Sequence, residues 1–177
     1  ETALKDSLKI ARALGNRKLI SLAHGRLGRL YEKKPGHGPR AVYFTRKAIF
    51  FAGQAEAPEL LYLWHWQMGR LFAAGHDREK AIDSYRRSVR ALSPIRSGMS
   101  AGHHHQDIFA SRIKPVYLGL AKLLLERAEE MAAQKAETVA VGCPFCLTMI
   151  EDGMKELEKE DEIKTRDVAE LVAQNMV

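Results

Sequence analysis

Cysteine is the scarcest chemically active residue in this chain. Only two occur among 177 residues, Cys143 and Cys146. Two thiols cannot make a disulfide framework, so a secreted, disulfide-stapled scaffold is excluded and a reducing, cytoplasmic setting is expected. Long apolar runs are also missing. No stretch of about 18 apolar residues is present, so no membrane-spanning helix is expected. The N-terminal stretch ETALKDSLKIARALGN is charged and helical in pattern and carries no signal-peptide apolar core. It lacks an initiator Met and enters mid-pattern, which predicts a piece of a longer protein. No phosphate-cradling glycine loop, nucleophile elbow or pair of acid/base carboxylates is found. A complete catalytic constellation is therefore not expected, and the chain reads as a non-enzyme.

Positive charge is abundant but uneven. Residues 1–127 hold 23 Lys and Arg against 10 Asp and Glu, a net of +13, whereas residues 128–177 hold 5 against 12, a net of −7. The basic residues are scattered through amphipathic segments, with no block interleaved with aromatics. A nucleic-acid surface is not expected. The charge break suggests two parts of different origin or with different partners. A chain joined from separate segments would produce such a break.

The first part reads as helix after helix. Leu4, Leu8, Ala11 and Leu14 share a stripe that stops at Gly15-Asn16. Leu19, Leu22, Ala23, Leu27, Leu30 and Tyr31 form the next, broken by Pro35-Gly-His-Gly-Pro39. Helices are then expected over 41–52, 58–73 and 77–92, the last closed by Pro94. A longer one is expected from about Gln106 to Ala128, kinked or started at Pro115. The helices repeat. AHGRLGRLY at Ala23–Tyr31 aligns with WHWQMGRLF at Trp64–Phe72, so Gly28 matches Gly69 and Tyr31 matches Phe72 after 41 residues. Ala81, Tyr85 and Pro94 follow Gly69 by 12, 16 and 25 residues. These offsets resemble the tetratricopeptide repeat. The resemblance covers residues 1–127. It implies an all-α superhelix of helical hairpins, with Gly28, Gly69 and Ala81 at close helix approaches and Tyr31, Phe72 and Tyr85 between repeats. The long period, with Arg112–Tyr117 and Leu123–Arg127, resembles the repeat region ahead of CHAT peptidase domains. No such peptidase domain is present, so no protease activity is implied.

Residues 128–177 read as a small α/β tail. A short helix is expected over 129–137, a buried strand at Thr138–Val141, the thiol pair Cys143-Pro-Phe-Cys146, a helix over 147–158, an acidic turn at 158–162, and a last helix over 167–173 capped by Thr165. Thiols at a strand end and helix start are biased towards thiolate by the helix dipole, which suits redox and metal chemistry alike. A glutaredoxin-like dithiol fits locally, but that fold needs more strands and a cis-proline loop, and no proline follows Pro144. A free dithiol or local disulfide on a remnant tail is the plain alternative. The stretch KAETVAVGCPFCLTMIEDG at Lys135–Gly153, with DVAELV at Asp167–Val172, resembles the C-terminal end of cysteine-rich CCG domains of heterodisulfide-reductase-type and glycolate-oxidase-type iron–sulfur oxidoreductases. The resemblance implies that Cys143 and Cys146 are the terminal pair of ligands. The upstream cysteines of that pattern are absent. Two thiolates do not complete a four-ligand iron–sulfur or zinc site, so a second chain or histidines would have to supply the rest. No cofactor is the expectation for the chain alone.

His103-His-His105 beside Asp107 reads as a solvated loop, and His76 as part of a turn. The expected functional surface is the concave face lined by first helices. Its candidate partner-binding residues are His24, Arg26 and Arg29 from one repeat and His65, Gln67 and Arg70 from the next. Their charge predicts an acidic peptide or protein face as partner. An uncovered array end favours self-association. The function expected is a noncatalytic protein–protein interaction scaffold. The alternative is an iron–sulfur or dithiol electron-transfer component using Cys143 and Cys146.

Overall fold

A computed structural model describes residues 1–97, 113–134, 137–142 and 144–175. The chain is all-α with a small α/β tail, and divides into two compact units, Glu1–Tyr117 and Leu118–Val177. The boundary falls within a helix, Lys114–Ala133.

In the first unit, α1 (Thr2–Ala13), α2 (Arg17–Glu32), α3 (Gly38–Gln54), α4 (Pro58–Ala74) and α5 (Arg78–Ser97) follow one another with short turns. Each start has a local cause. Asn16 ends its stripe as expected but belongs to the next helix: its side-chain oxygen accepts the Leu19 N–H at 3.1 Å and caps α2. Prolines sit in the first turns of α3 and α4, where a missing N–H costs nothing. Gly15, at φ +61°, makes the turn between α1 and α2. Pro94 does not close α5 as the sequence suggests. It lies inside the last turn, and the helix runs on to Ser97.

Helix α2 packs on α3, and α4 on α5, as two antiparallel-order hairpins. Helix α1 covers α2, α3 contacts α4, and α2 also touches α4. The first helices of the two hairpins therefore stand side by side. Small residues permit this. Ala41, Ala48, Ala52 and Ala81 are fully buried. A methyl on Gly28 would meet Gln67 and Thr45 at 2.6 Å, and one on Gly69 would meet the Tyr85 ring at 2.6 Å. Both close approaches agree with the repeat alignment. Tyr31 and Tyr85 are buried; Phe72 stays half-exposed under the Lys80 ammonium.

Several polar side chains inside the stack are paired across the helices. Trp64 Nε1 donates to Ser21 Oγ at 2.9 Å, and Ser21 Oγ donates to the Ala48 carbonyl at 2.8 Å. Gln67 Nε2 donates to Thr45 Oγ1 at 2.7 Å and to the Gly25 carbonyl at 3.2 Å. Thr45 in turn donates to Ala41 O at 2.7 Å. Such buried bonds fix the register of α2 against α4, because a slipped helix would leave each group unpaired.

In the second unit, α6 (Lys114–Ala133) begins with Pro115 in its first turn. Residues 106–112 of the expected long helix, and with them the choice between a start and a kink at Pro115, lie outside the described residues. No separate helix spans 129–137: Glu129–Ala133 is the last turn of α6. Strand β1 (Thr138–Val141) pairs in parallel with β2 (Lys164–Asp167), Thr138 opposite Lys164 and Val141 opposite Asp167. Parallel strands need a crossover, which α7 (Pro144–Glu156) provides. Helix α8 (Val168–Asn175) follows β2 directly. Its cap is Asp167, whose Oδ1 accepts the Ala169 N–H at 2.7 Å, not Thr165, which lies in the strand. Ala128, Val139, Val141, Ile150, Met154 and Ile163 form the core of this unit. Gly153 brings α7 close to α6, since a methyl there would meet Ala128 Cβ at 3.1 Å.

Candidate functional site

Helices α2 and α4 leave a groove of about 650 Å³ between them. Leu22, Arg26, Arg29, Glu32 and Lys33 line it from α2 and its end; Leu63, Trp64, Trp66, Gln67 and Arg70 line it from α4. The α2 contributors Leu22, Arg26, Arg29 and Lys33 recur at i, i+4, i+7 and i+11, one stripe of a helix. The α4 contributors Leu63, Trp66, Gln67 and Arg70 recur at i, i+3, i+4 and i+7. Glu32 is neutralised in place. Arg70 Nε and Nη2 donate to its two oxygens at 2.8 and 3.0 Å, and the Arg70 guanidinium lies 4.5 Å from the Trp66 ring centroid. That fork fixes one wall of the groove. Arg26, Arg29 and Lys33 are exposed and make no ion pair with a described residue. The groove therefore carries three uncompensated cations beside an indole face.

The sequence-nominated residues divide. Arg26, Arg29 and Arg70 line the groove. Gln67 forms its floor, but its side chain is 2% exposed and spends its amide on Thr45 and Gly25, so it does not offer itself to a partner. His24 is 3% exposed and faces the opposite way, stacked on Phe44 and Phe51 with ring centroids 6.0 and 5.7 Å distant. Two residues on a helix turn through about 200°, so His24 cannot share a face with Arg26. Neither ring nitrogen of His24 has a hydrogen-bond partner. Burial pushes its imidazole down to about 4, and the cations Arg12 and Lys47 add to this. His65 is half-buried near Arg87 and Asp83 of α5, and burial, helped by Arg87 and opposed by Asp83, pushes it to about 4. Both histidines are thus neutral packing groups. Glu32, Lys33 and Trp66 belong to the groove and were not nominated; the i, i+4, i+7 stripe through Arg26 and Arg29 is the signal that finds Lys33.

Strand β1 ends at Val141 and α7 begins at Pro144, on either side of the first cysteine in sequence. Cys143 lies outside the described residues, as do His103–His105 and Asp107. The backbone of Cys146 falls in the first turn of α7. A cleft of about 480 Å³ is lined by Gly142, just after β1, and by Asp167, Val168, Ala169, Val172 and Ala173. Among the described residues no group of three or more His, Cys, Asp or Glu side chains is placed to hold a metal. No helix of the described residues is long and apolar enough to cross a membrane.

No protein-family profile matches the chain, and no solved structure matches it. Two curated proteins do, over short stretches. A probable iron-sulfur-binding oxidoreductase, FadF, of Bacillus subtilis is 43% identical over 56 residues, which is 32% of this chain and 8% of FadF. An EtfAB:quinone oxidoreductase of Syntrophomonas wolfei is 44% identical over 46 residues, 26% of this chain and 6% of that protein. The chain thus spans less than a tenth of the length of either relative it matches. These similarities support the iron–sulfur-oxidoreductase resemblance read from the tail, and the chain is similar in part to iron–sulfur oxidoreductases.

Proposed function

We propose that the helical unit is a noncatalytic, tetratricopeptide-like interaction module whose α2/α4 groove takes an acidic peptide or an acidic protein face. The observation that carries this is the set of three unpaired cations, Arg26, Arg29 and Lys33, lining one wall of a groove whose other wall holds Trp66. Solvated cations steer and select acidic partners, and an aromatic wall supplies apolar contact. The test is calorimetric titration with a peptide rich in Glu and Asp. The double reversal Arg26→Glu with Arg29→Glu is expected to weaken binding at least ~10-fold, since each solvated pair contributes up to about 1 kcal/mol and reversal adds repulsion. Unchanged affinity in that variant would refute the assignment.

A second reading rests on the two partial relatives: an electron-transfer part, with Cys143 and Cys146 as two ligands of an iron–sulfur cluster or as a dithiol. The chain alone does not fit a four-ligand cluster. It has two cysteines, and no described side-chain cluster adds the missing donors. A cluster would need ligands from outside this chain. Anaerobic purification followed by iron, sulfide and zinc analysis separates the readings. The interaction module is expected to be colourless, to lack stoichiometric metal, and to keep its fold when Cys143 and Cys146 become Ser. Metal near one equivalent per chain or per dimer, lost in the serine variant, would establish the second reading instead.

A further inference from the structure

We propose that the acidic turn of one copy of this chain docks in the basic groove of a second copy. The inference rests on the reading of the groove as an acid-binding surface and names its occupant. The turn that joins α7 to β2 exposes Glu156, Glu158, Glu160, Asp161 and Glu162 within seven residues. One cation, Lys159, lies among them, and it is spent on Glu162 at 2.7 Å. Glu156, Glu158, Glu160 and Asp161 make no ion pair with a described residue. The turn is also built rather than loose. Glu158 holds φ at +53°, its N–H donates to Lys155 O at 2.9 Å, the Lys159 N–H donates to Met154 O at 2.8 Å, and the Ile163 N–H donates to Lys159 O at 2.9 Å. Four carboxylates on a preordered turn thus make no ion pair with a described cation of their own unit. Three uncompensated cations line a groove of about 650 Å³, a volume suited to a few side chains. Preordering lowers the entropic cost of docking, and opposite charge fixes which surfaces meet. The contact joins two different surfaces, so it is head-to-tail unless two copies exchange turns reciprocally.

Sedimentation velocity over a range of protein concentrations at low salt tests the proposal. The wild type is expected to self-associate, with its average mass at least doubling, and to return to monomer in about 0.5 M salt, where charges screen within roughly 4 Å. Two variants are expected to be monomeric at low salt: Arg26→Glu with Arg29→Glu, and Glu158→Lys with Glu160→Lys and Asp161→Lys. Mixing them is expected to restore association, because each then offers the other a complementary surface. Helical circular dichroism of each variant shows that it is folded. A wild type that is monomeric at low salt, or association that charge reversal leaves intact, would overturn the proposal. If the monomer still binds an acidic peptide in the groove, the proposal falls and the groove's assignment stands; if it binds none, both fall.

Discussion

Gly25→Ala is expected to destabilise the helical unit by about 2 kcal/mol, although alanine is the better helix former by roughly 1 kcal/mol. A methyl at Gly25 would run into three carbons of the Trp64 ring, far inside van der Waals contact. That ring is 6% exposed, and its Nε1–H is held by Ser21 Oγ at 2.9 Å, so it cannot retreat without breaking a buried bond. The clash therefore opposes and exceeds the propensity gain. Gly53, near the end of α3, supplies the control. Nothing lies within 4 Å of a methyl placed there. Gly53→Ala is expected to stabilise by about 0.5 kcal/mol. Urea unfolding of the two variants beside the wild type reads both signs. Stabilisation by Gly25→Ala would contradict the close approach of α2 and α4 on which the groove depends.

Acidification below about pH 6.5 is expected to weaken the fold through two histidines that burial keeps neutral. His24 and His65 are held near 4 in the folded chain, against about 6.5 when unfolded. The folded state binds fewer protons than the unfolded state between those values, so stability rises with pH there and is lost as pH falls from about 6.5 towards 4. The two groups together are expected to cost on the order of 2 kcal/mol between pH 7 and pH 4.5, discounted for the partial solvent access of His65. His24→Phe removes an imidazole whose two nitrogens have no partner and leaves an apolar ring against Phe44 and Phe51. That variant is expected to gain stability at pH 4.5 relative to the wild type and to show a flatter pH dependence. Urea midpoints at the two pH values decide it. Equal pH dependence in both proteins would show that His24 is not buried neutral.

What could be read from sequence follows the strength of the local signal. The 41-residue repeat placed Gly28 and Gly69 at close approaches because a small residue inside an apolar helical stripe has few other uses. It did not single out Gly25, whose partner Trp64 lies 39 residues on and belongs to another helix. Arg26, Arg29 and Arg70 were legible as groove residues from helical spacing. His24 was not separable from them by residue type, and only its rotation by about 200° from Arg26 puts it in the core. Gln67 lies on the right stripe, yet its amide turns inward to satisfy buried acceptors. In the tail, β1 announced itself with Val139 and Val141, while β2, Lys-Thr-Arg-Asp, has no apolar residue and is a strand only because β1 offers it an edge. Pro94 looked like a stop, but α5 carries it within its final turn.

The central claim is that this chain works through the α2/α4 groove and that the groove selects negative charge. Both tryptophans of the chain lie in α4, and Trp64 and Trp66 both line the groove. Tryptophan emission therefore reports directly on its occupancy. The measurement is a fluorescence titration of the wild-type chain with an acidic peptide and with a basic peptide of equal length, each at low and high salt. The account predicts a saturable change with the acidic peptide alone, weakened at least several-fold by salt screening. An equal response to the basic peptide, or no response to either, would contradict it.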